Sequence, residues 1–252
     1  MPDAEALAGL RILVTRPRKQ GRALCRAIES LGGSAYPCPM LEIDPVDPPP
    51  PDWWRGFDWL IFVSANAVRF ALEAGLARAA HPPRLAAVGK ATAAALREGG
   101  LAVACEAPPP YTSEALLAEP PFEQVAGQRI LIVRGVGGRP DLGRTLTERG
   151  GRVEYRELYR RNPPHSDTIA RLRSLLARSE LDVVLVSSGE GLANLLVAAG
   201  EWIDGLCALP VVVVSPRSAE AALQAGFADV IEAPSALDEV VLETLRARFG
   251  LK

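Results

Sequence analysis

Arg11-Ile12-Leu13-Val14-Thr15-Arg16-Pro17 returns later in the chain as Arg129-Ile130-Leu131-Ile132-Val133-Arg134-Gly135. At the same spacing the pair Gly32-Gly33 falls on Gly150-Gly151. Phe62-Val63-Ser64-Ala65-Asn66-Ala67-Val68 is echoed by Val186-Ser187-Ser188-Gly189-Glu190-Gly191-Leu192. Residues 88–108 lie on residues 214–234 without a gap, and both stretches end Glu-Ala-Pro. The repeating unit is far longer than a stacking repeat, so the pattern predicts two similar lobes rather than a solenoid. Two lobes create a cleft, and a cleft is where a small molecule usually binds.

The quoted runs are short, apolar and rich in β-branched residues, as strands buried on both faces of a parallel sheet are. Working outward, strands are expected at 11–15, 59–63, 85–88, 103–106, 130–133, 153–155, 183–187, 211–214 and 229–232. Amphipathic stretches at 20–31, 91–98, 141–149 and 219–225 alternate with them. Gly32, Gly99, Gly150 and Gly226 follow helical stretches and suit left-handed caps. The fold class is therefore α/β, with two doubly wound parallel-sheet lobes.

Pro-rich stretches at 45–51 and at Asn162-Pro163-Pro164 break the alternation at matching positions of the two repeats. Proline stiffens a connection and prevents a helix from continuing. The expected boundaries are 1–36 with 163–252 for one discontinuous lobe, and 44–155 for the other. Segments 37–43 and 156–162 are expected as a two-stranded linker. A division into two contiguous lobes near Phe122 stays open on sequence alone.

Composition sets limits. The chain has 252 residues, 48% hydrophobic and 23% charged, with a net charge of −2. That length suits two domains, and the charge gives no footprint for nucleic acid. The start, Met1-Pro2-Asp3-Ala4-Glu5, has neither a basic region nor an apolar core, so no signal peptide is expected. No apolar run is long enough for a bilayer, and a cytoplasmic protein without membrane contact is expected. Cys25, Cys38, Cys105 and Cys207 are scattered, and only His81 and His165 accompany them. Neither a disulfide framework nor a metal centre is expected. Gly135, Gly137 and Gly138 lack the spacing and the acidic partner of a dinucleotide site, and a flexible turn is the better reading.

Several stretches together resemble the uroporphyrinogen-III synthase family, over essentially the whole length. They are Val14-Thr15-Arg16-Pro17, Phe62 to Val68, Ala87-Val88-Gly89-Lys90-Ala91-Thr92-Ala93, Arg156-Glu157-Leu158-Tyr159 and Val214-Ser215-Pro216-Arg217-Ser218-Ala219. Two stretches depart from the family pattern. Ser187-Ser188-Gly189-Glu190 stands where a Thr-Ser-Pro-Ser-like run is common, and Ser215-Pro216-Arg217-Ser218 replaces a Gly-Pro-x-Thr-like turn. The resemblance implies two lobes with a crossed-over chain, no cofactor and no metal. It implies a lyase of porphyrin and heme biosynthesis that cyclises hydroxymethylbilane to uroporphyrinogen III. Ring D is inverted and water is lost through a spiro intermediate in the interlobe cleft. A monomer is expected, receiving substrate by transient handover from hydroxymethylbilane synthase.

That chemistry fits what the sequence lacks. There is no Ser-His-Asp order, no Glu-x-x-His motif and no phosphate-binding Gly-x-x-x-x-Gly-Lys loop. Ring closure of the bilane is intrinsically easy, and orienting it is the main task. The eight carboxylates of the substrate need donors. Turns between strand ends and helix starts supply backbone N–H groups and the positive end of the helix dipole. The expected substrate contacts are Arg16, Ser64, Ala65, Asn66, Lys90, Thr92, Arg134, Gly135, Arg139, Ser188, Gly189, Arg217 and Ser218. Arginine suits this role because it grips a carboxylate with two parallel hydrogen bonds. Ser64, Thr92, Ser188 and Ser218 equally suit helix N-caps. In the linker, Tyr159 occupies the position where the family's tyrosine is the candidate for assisting hydroxyl departure. A non-catalytic bilobed binding protein or sensor for a small polyanion is the alternative.

Overall fold

In the computed structural model residues 5–79 and 81–250 are described. Residues 1–4, read above for the absence of a leader, lie outside them. The chain runs β1 (Arg11–Val14), α1 (Arg18–Ser30), β2 (Ser34–Pro37), β3 (Glu42–Pro45), β4 (Trp59–Phe62), α2 (Ala65–Glu73), β5 (Arg84–Ala87) and α3 (Lys90–Glu98). It continues through β6 (Cys105–Glu106), α4 (Ser113–Leu117), α5 (Pro120–Glu123), β7 (Arg129–Gly135), α6 (Asp141–Glu148) and β8 (Arg152–Asn162). Last come α7 (Ser166–Ala177), β9 (Val183–Val186), α8 (Gly189–Ala199), α9 (Ile203–Cys207), β10 (Val211–Val213), α10 (Pro216–Gln224), β11 (Val230–Glu232) and α11 (Asp238–Phe249). Contacts divide the chain into one unit of Met1–Glu42 with Asn162–Lys252 and another of Ile43–Arg161.

The first unit holds a five-stranded sheet ordered β11-β10-β9-β1-β2, with its strand pairs parallel. The second holds a six-stranded sheet ordered β3-β8-β7-β4-β5-β6. Laying β1, β2, β9, β10 and β11 on β7, β8, β4, β5 and β6 gives the same spatial order. This is a doubly wound order with a switch point between β1 and β9, and between β7 and β4. In such sheets ligands bind outside the carboxyl ends of the strands at the switch point.

Side chains alternate across each sheet with the two-residue strand period. Leu13, Val184 and Val186 enter one core, while Ile12, Val14, Val183 and Leu185 enter the core on the opposite face. In the second unit Leu60, Phe62, Leu131 and Val133 face one core, and Trp59, Ile61, Ile130 and Ile132 the other. Burial on both faces explains why these strands read as unbroken apolar runs. Each large side chain so buried contributes roughly 1.5–3 kcal/mol. Helix α1 buries Gly21, Leu24, Cys25 and Ile28, a single face at helical spacing.

One expectation needs correction. Gly32, Gly150 and Gly226 do take left-handed φ values, but the left-handed residue after α3 is Gly100 at φ 77°, not Gly99. The Leu101 N–H returning to Leu96 O sets that position. The segment 156–162, expected as one strand of a two-stranded linker, is strand throughout. It is the second half of β8, still paired with β7 as far as Tyr159, and Leu158 and Tyr159 are buried in the second unit's core.

Candidate functional site

The expected site residues gather, within each unit, at the carboxyl ends of adjacent strands. In the first unit Arg16 follows β1, Ser188 and Gly189 follow β9, and Arg217 and Ser218 follow β10. In the second, Ser64, Ala65 and Asn66 follow β4, Lys90 and Thr92 follow β5, and Arg134, Gly135 and Arg139 end or follow β7. Tyr159 comes from β8.

The hydroxyls divide into two groups. Ser64 caps α2 by accepting from Ala67 N–H at 3.1 Å, and Ser188 caps α8 by accepting from Gly191 N–H at 3.0 Å. Thr92 and Ser218 are not caps. They are buried in the first turns of α3 and α10, whose N-caps are Gly89 and Ser215. Ser215 Oγ donates to Ser218 Oγ at 2.9 Å and accepts from Ser218 N–H at 3.2 Å. Gly189 opens α8 with open space where a Cβ would stand.

The basic side chains divide as well. All three nitrogens of buried Arg16 are engaged: Nε donates to Ser187 Oγ at 2.8 Å, Nη1 to Asp238, and Nη2 to Ala236 O at 2.8 Å. Arg16 thus ties together the β1 and β9 ends and the start of α11. Arg134 donates to Gly138 O at 2.9 Å and to Glu157 at 3.0 Å, and its guanidinium lies 4.0 Å over the Tyr155 ring. Arg139 is exposed and pairs with Glu114 and Asp141. Lys90 and Arg217 are exposed at the first turns of α3 and α10, with no ion pair among the described residues. Each stands beside the first-turn amides of its own helix, a setting chemically suited to a carboxylate.

Tyr159 is the least expected in its setting. Its residue is only 3% exposed, its ring stacks on Phe70 at 5.5 Å between centroids, and its hydroxyl lies 2.9 Å from Ser64 Oγ. Ser64 is half-buried, so the two hydroxyls form a pair with Ser64 on the outer side. Phe70, Tyr155 and Gly143 were missed in the sequence. The Tyr155 hydroxyl occupies the place of a Cβ at Gly143, inside α6. A glycine inside an amphipathic helix was the available signal. Among the described residues no three His, Cys, Asp or Glu side chains converge as a metal-binding group, and no helix is long and apolar enough to cross a membrane.

Comparison with known proteins gives a consistent result. The family described as uroporphyrinogen-III synthase HemD matches residues 22–241. The uroporphyrinogen-III synthase of Escherichia coli strain K12 is 34% identical over 245 residues, spanning 93% of this chain and 99% of its own. That of Salmonella typhimurium strain LT2 is 32% identical over 250 residues, with 93% and 99% covered. Among solved structures, a mutant uroporphyrinogen III synthase from the extremely thermophilic bacterium Thermus thermophilus superposes with a TM-score of 0.59 at 23% identity, over 95% of this chain and 98% of that one. The uroporphyrinogen-III synthetase of Helicobacter pylori 26695 gives 0.60 at 15% identity, over 94% and 99%. At those identities the structural likeness bears on the fold alone.

Proposed function

The chain belongs to the uroporphyrinogen-III synthase family, enzymes of tetrapyrrole synthesis, and on that premise we propose that it closes hydroxymethylbilane to uroporphyrinogen III with inversion of ring D. The C–O bond of the terminal hydroxymethyl group breaks, and the oxygen takes a proton and leaves as water. The resulting cation is delocalised into its pyrrole. The substituted carbon of ring D attacks it, giving a spiro intermediate. The older bridge bond at that carbon then breaks, and the freed bridge carbon bonds instead to the unsubstituted α-carbon of ring D, which turns the ring over. Loss of a proton restores aromaticity and balances the proton consumed at the start.

The observation that carries this reading is the hydroxyl pair of Tyr159 and Ser64. Ser64 Oγ accepts from Ala67 N–H at the positive end of α2. A hydroxyl that accepts one hydrogen bond is a better donor of the next. Linked at 2.9 Å, the two hydroxyls form a neutral donor for the departing oxygen, with Ser64 on its outer side. A neutral donor suffices because the cation is already stabilised by the pyrrole. Orientation does the rest, and pre-organisation of this kind supplies roughly 7–11 kcal/mol. We assign the carboxylates of the bilane to the helix starts after β4, β5, β9 and β10, with Lys90 and Arg217. The reading invokes no cofactor, and it takes a monomer that receives the bilane by transient handover from the synthase that makes it.

The test is a coupled assay in which hydroxymethylbilane is generated in situ and the I and III isomers are separated. The wild-type protein is expected to give the III isomer, and release of unconverted bilane would remove the proposal. Loss of one well-placed donor costs on the order of 10²–10³ in rate. Tyr159→Phe is therefore expected to lose turnover on that scale, keep its melting temperature and still give mainly the III isomer. Near-normal turnover would remove Tyr159 from the mechanism.

A further inference from the structure

Strand β8 does not alternate at its end. Leu158 and Tyr159 are consecutive, yet both are buried in the same core of the second unit. The cause is a shift of register. Arg134 stands opposite Glu157, but the next residue of β7, Gly135, stands opposite Tyr159, so Leu158 is an extra residue in β8. An extra residue of this kind re-aims the side chain that follows it. It turns Tyr159 back over the sheet, whose order here is β8-β7-β4. To reach Ser64, beyond the end of β4, a side chain from β8 must cross β7.

It crosses at Gly135. A Cβ on that residue would lie 2.7 Å from both Cε2 and Cζ of Tyr159 and 3.1 Å from its hydroxyl. Carbon atoms in contact sit about 3.5–4.0 Å apart, so ring and Cβ exclude one another. Gly135 is not among the residues with left-handed φ, so the backbone itself does not call for glycine. The internal repeat offers a control. At the repeat spacing Pro17 corresponds to Gly135 and Leu41 to Tyr159, so the copy that lacks the tyrosine lacks the glycine too.

We propose that Gly135 and the extra residue Leu158 form the seat of Tyr159, and that Gly135 is a positioning residue for the proton donor rather than a contact for the substrate. The inference rests on the reading of Tyr159 given above. Its test compares Gly135→Ala, Tyr159→Phe and the double variant in the isomer-resolved assay. Gly135→Ala is expected to lower kcat at least tenfold with KM within about twofold. In the Tyr159→Phe background it should lower kcat little further, because residues acting as a unit are not additive. Fluorine NMR of protein labelled with 3-fluorotyrosine supplies a readout independent of turnover. The resonance identified by its absence from Tyr159→Phe should move in Gly135→Ala, while those of Tyr36 and Tyr111 stay.

The outcomes separate. If Tyr159→Phe is nearly as active as wild type, the Tyr159 reading fails and the positioning role fails with it. If Tyr159→Phe is inactive but Gly135→Ala is normal, or its resonance unmoved, only the seat is overturned. A raised KM at unchanged kcat would make Gly135 a substrate contact instead. Should Gly135→Ala not fold, Gly135→Ala/Tyr159→Leu removes the ring, as in the other repeat. Recovery of a folded protein then locates the conflict at the ring, and failure to recover overturns the proposal.

Discussion

Replacing Arg16 by alanine separates two roles that one arginine can play, gripping substrate or holding the fold. The side chain is 8% exposed and each nitrogen donates to a partner inside the first unit. Hydrogen bonds from a charged group contribute about 1.5–3 kcal/mol each. The three do not sum, because Asp238 is 31% exposed and regains water when the arginine leaves. A net loss of about 3 kcal/mol is the expectation, on the scale of breaking a partly buried pair. For a chain of this size that corresponds to a fall of roughly 6–12 °C in melting temperature. Arg16→Lys keeps the charge but reaches fewer partners, so it should fall between. Thermal denaturation by circular dichroism reads the first quantity, and bilane KM in the coupled assay reads the second. If Arg16→Ala melts like wild type while KM rises several-fold, the strut argument is refuted and Arg16 is a substrate ligand.

Four further outcomes are expected. Lys90→Ala and Arg217→Ala should each raise KM several-fold at unchanged melting temperature and flatten the salt dependence of KM, since exposed charges are screened; salt-independent kinetics in the wild type would argue against an electrostatic site. Burial pushes the Cys38 thiol up to about 12 and the Cys105 thiol up to about 11. Both should resist Ellman's reagent at pH 8 until denaturant is added, and stability should fall as pH rises past about 8.5 towards those values, because only the unfolded thiols ionise early. Hydrogen bonds from Arg11 hold the Asp182 carboxyl below its usual range, so the stability it gives is present above about pH 4 and lost as pH falls further; Asp182→Asn should melt lower than wild type at pH 7, with the gap closing near pH 2–3. Gly143→Ala should destabilise despite the helix preference for alanine, and Gly143→Ala/Tyr155→Phe should recover part of the loss, as read by thermal melting.

What the sequence disclosed and what it withheld follow from the range of the forces involved. Strands such as Trp59–Phe62 and Val183–Val186 were legible because burial on both faces demands apolar residues at every position. The caps at Ser64 and Ser188 were legible because a cap acts within three residues. The pairing of the second half of β8 with β7 was not, because its exposed arginines and glutamates suit an extended linker as well as a sheet strand. Nor was the task of Arg16, whose partners Ser187 and Asp238 lie 171 and 222 residues away. A local pattern states that an arginine stands at a strand end; only the fold states what already occupies its nitrogens. The same holds for Tyr159, whose address was readable but whose burial and aim depend on the register of a neighbouring strand.

The two units share a strand order and differ in what they place at the switch point. After β1 stands Pro17, and Arg16 is fastened to Ser187 and Asp238. At the end of β7 stands Gly135, and over it passes the ring of Tyr159 on its way to Ser64. A fixed guanidinium has few donors left for a moving substrate, but it holds the loops after β1 and β9 in one conformation. Those loops lead into α1 and α8, and the first-turn amides of a helix suit anions. Orientation is effective only when the donors themselves do not move. In the second unit the same need is met differently: Phe70 stacks on the tyrosine from one side, and the missing Cβ of Gly135 leaves room for it on the other contact. The shared strand order matches the repeat in the sequence, and Gly135 with Tyr159, where the other copy has Pro17 with Leu41, accounts for why only one half places a phenol here. The glycine and the tyrosine belong together physically, since neither a proline with a tyrosine nor a glycine with a leucine would seat a hydroxyl beside the cap serine.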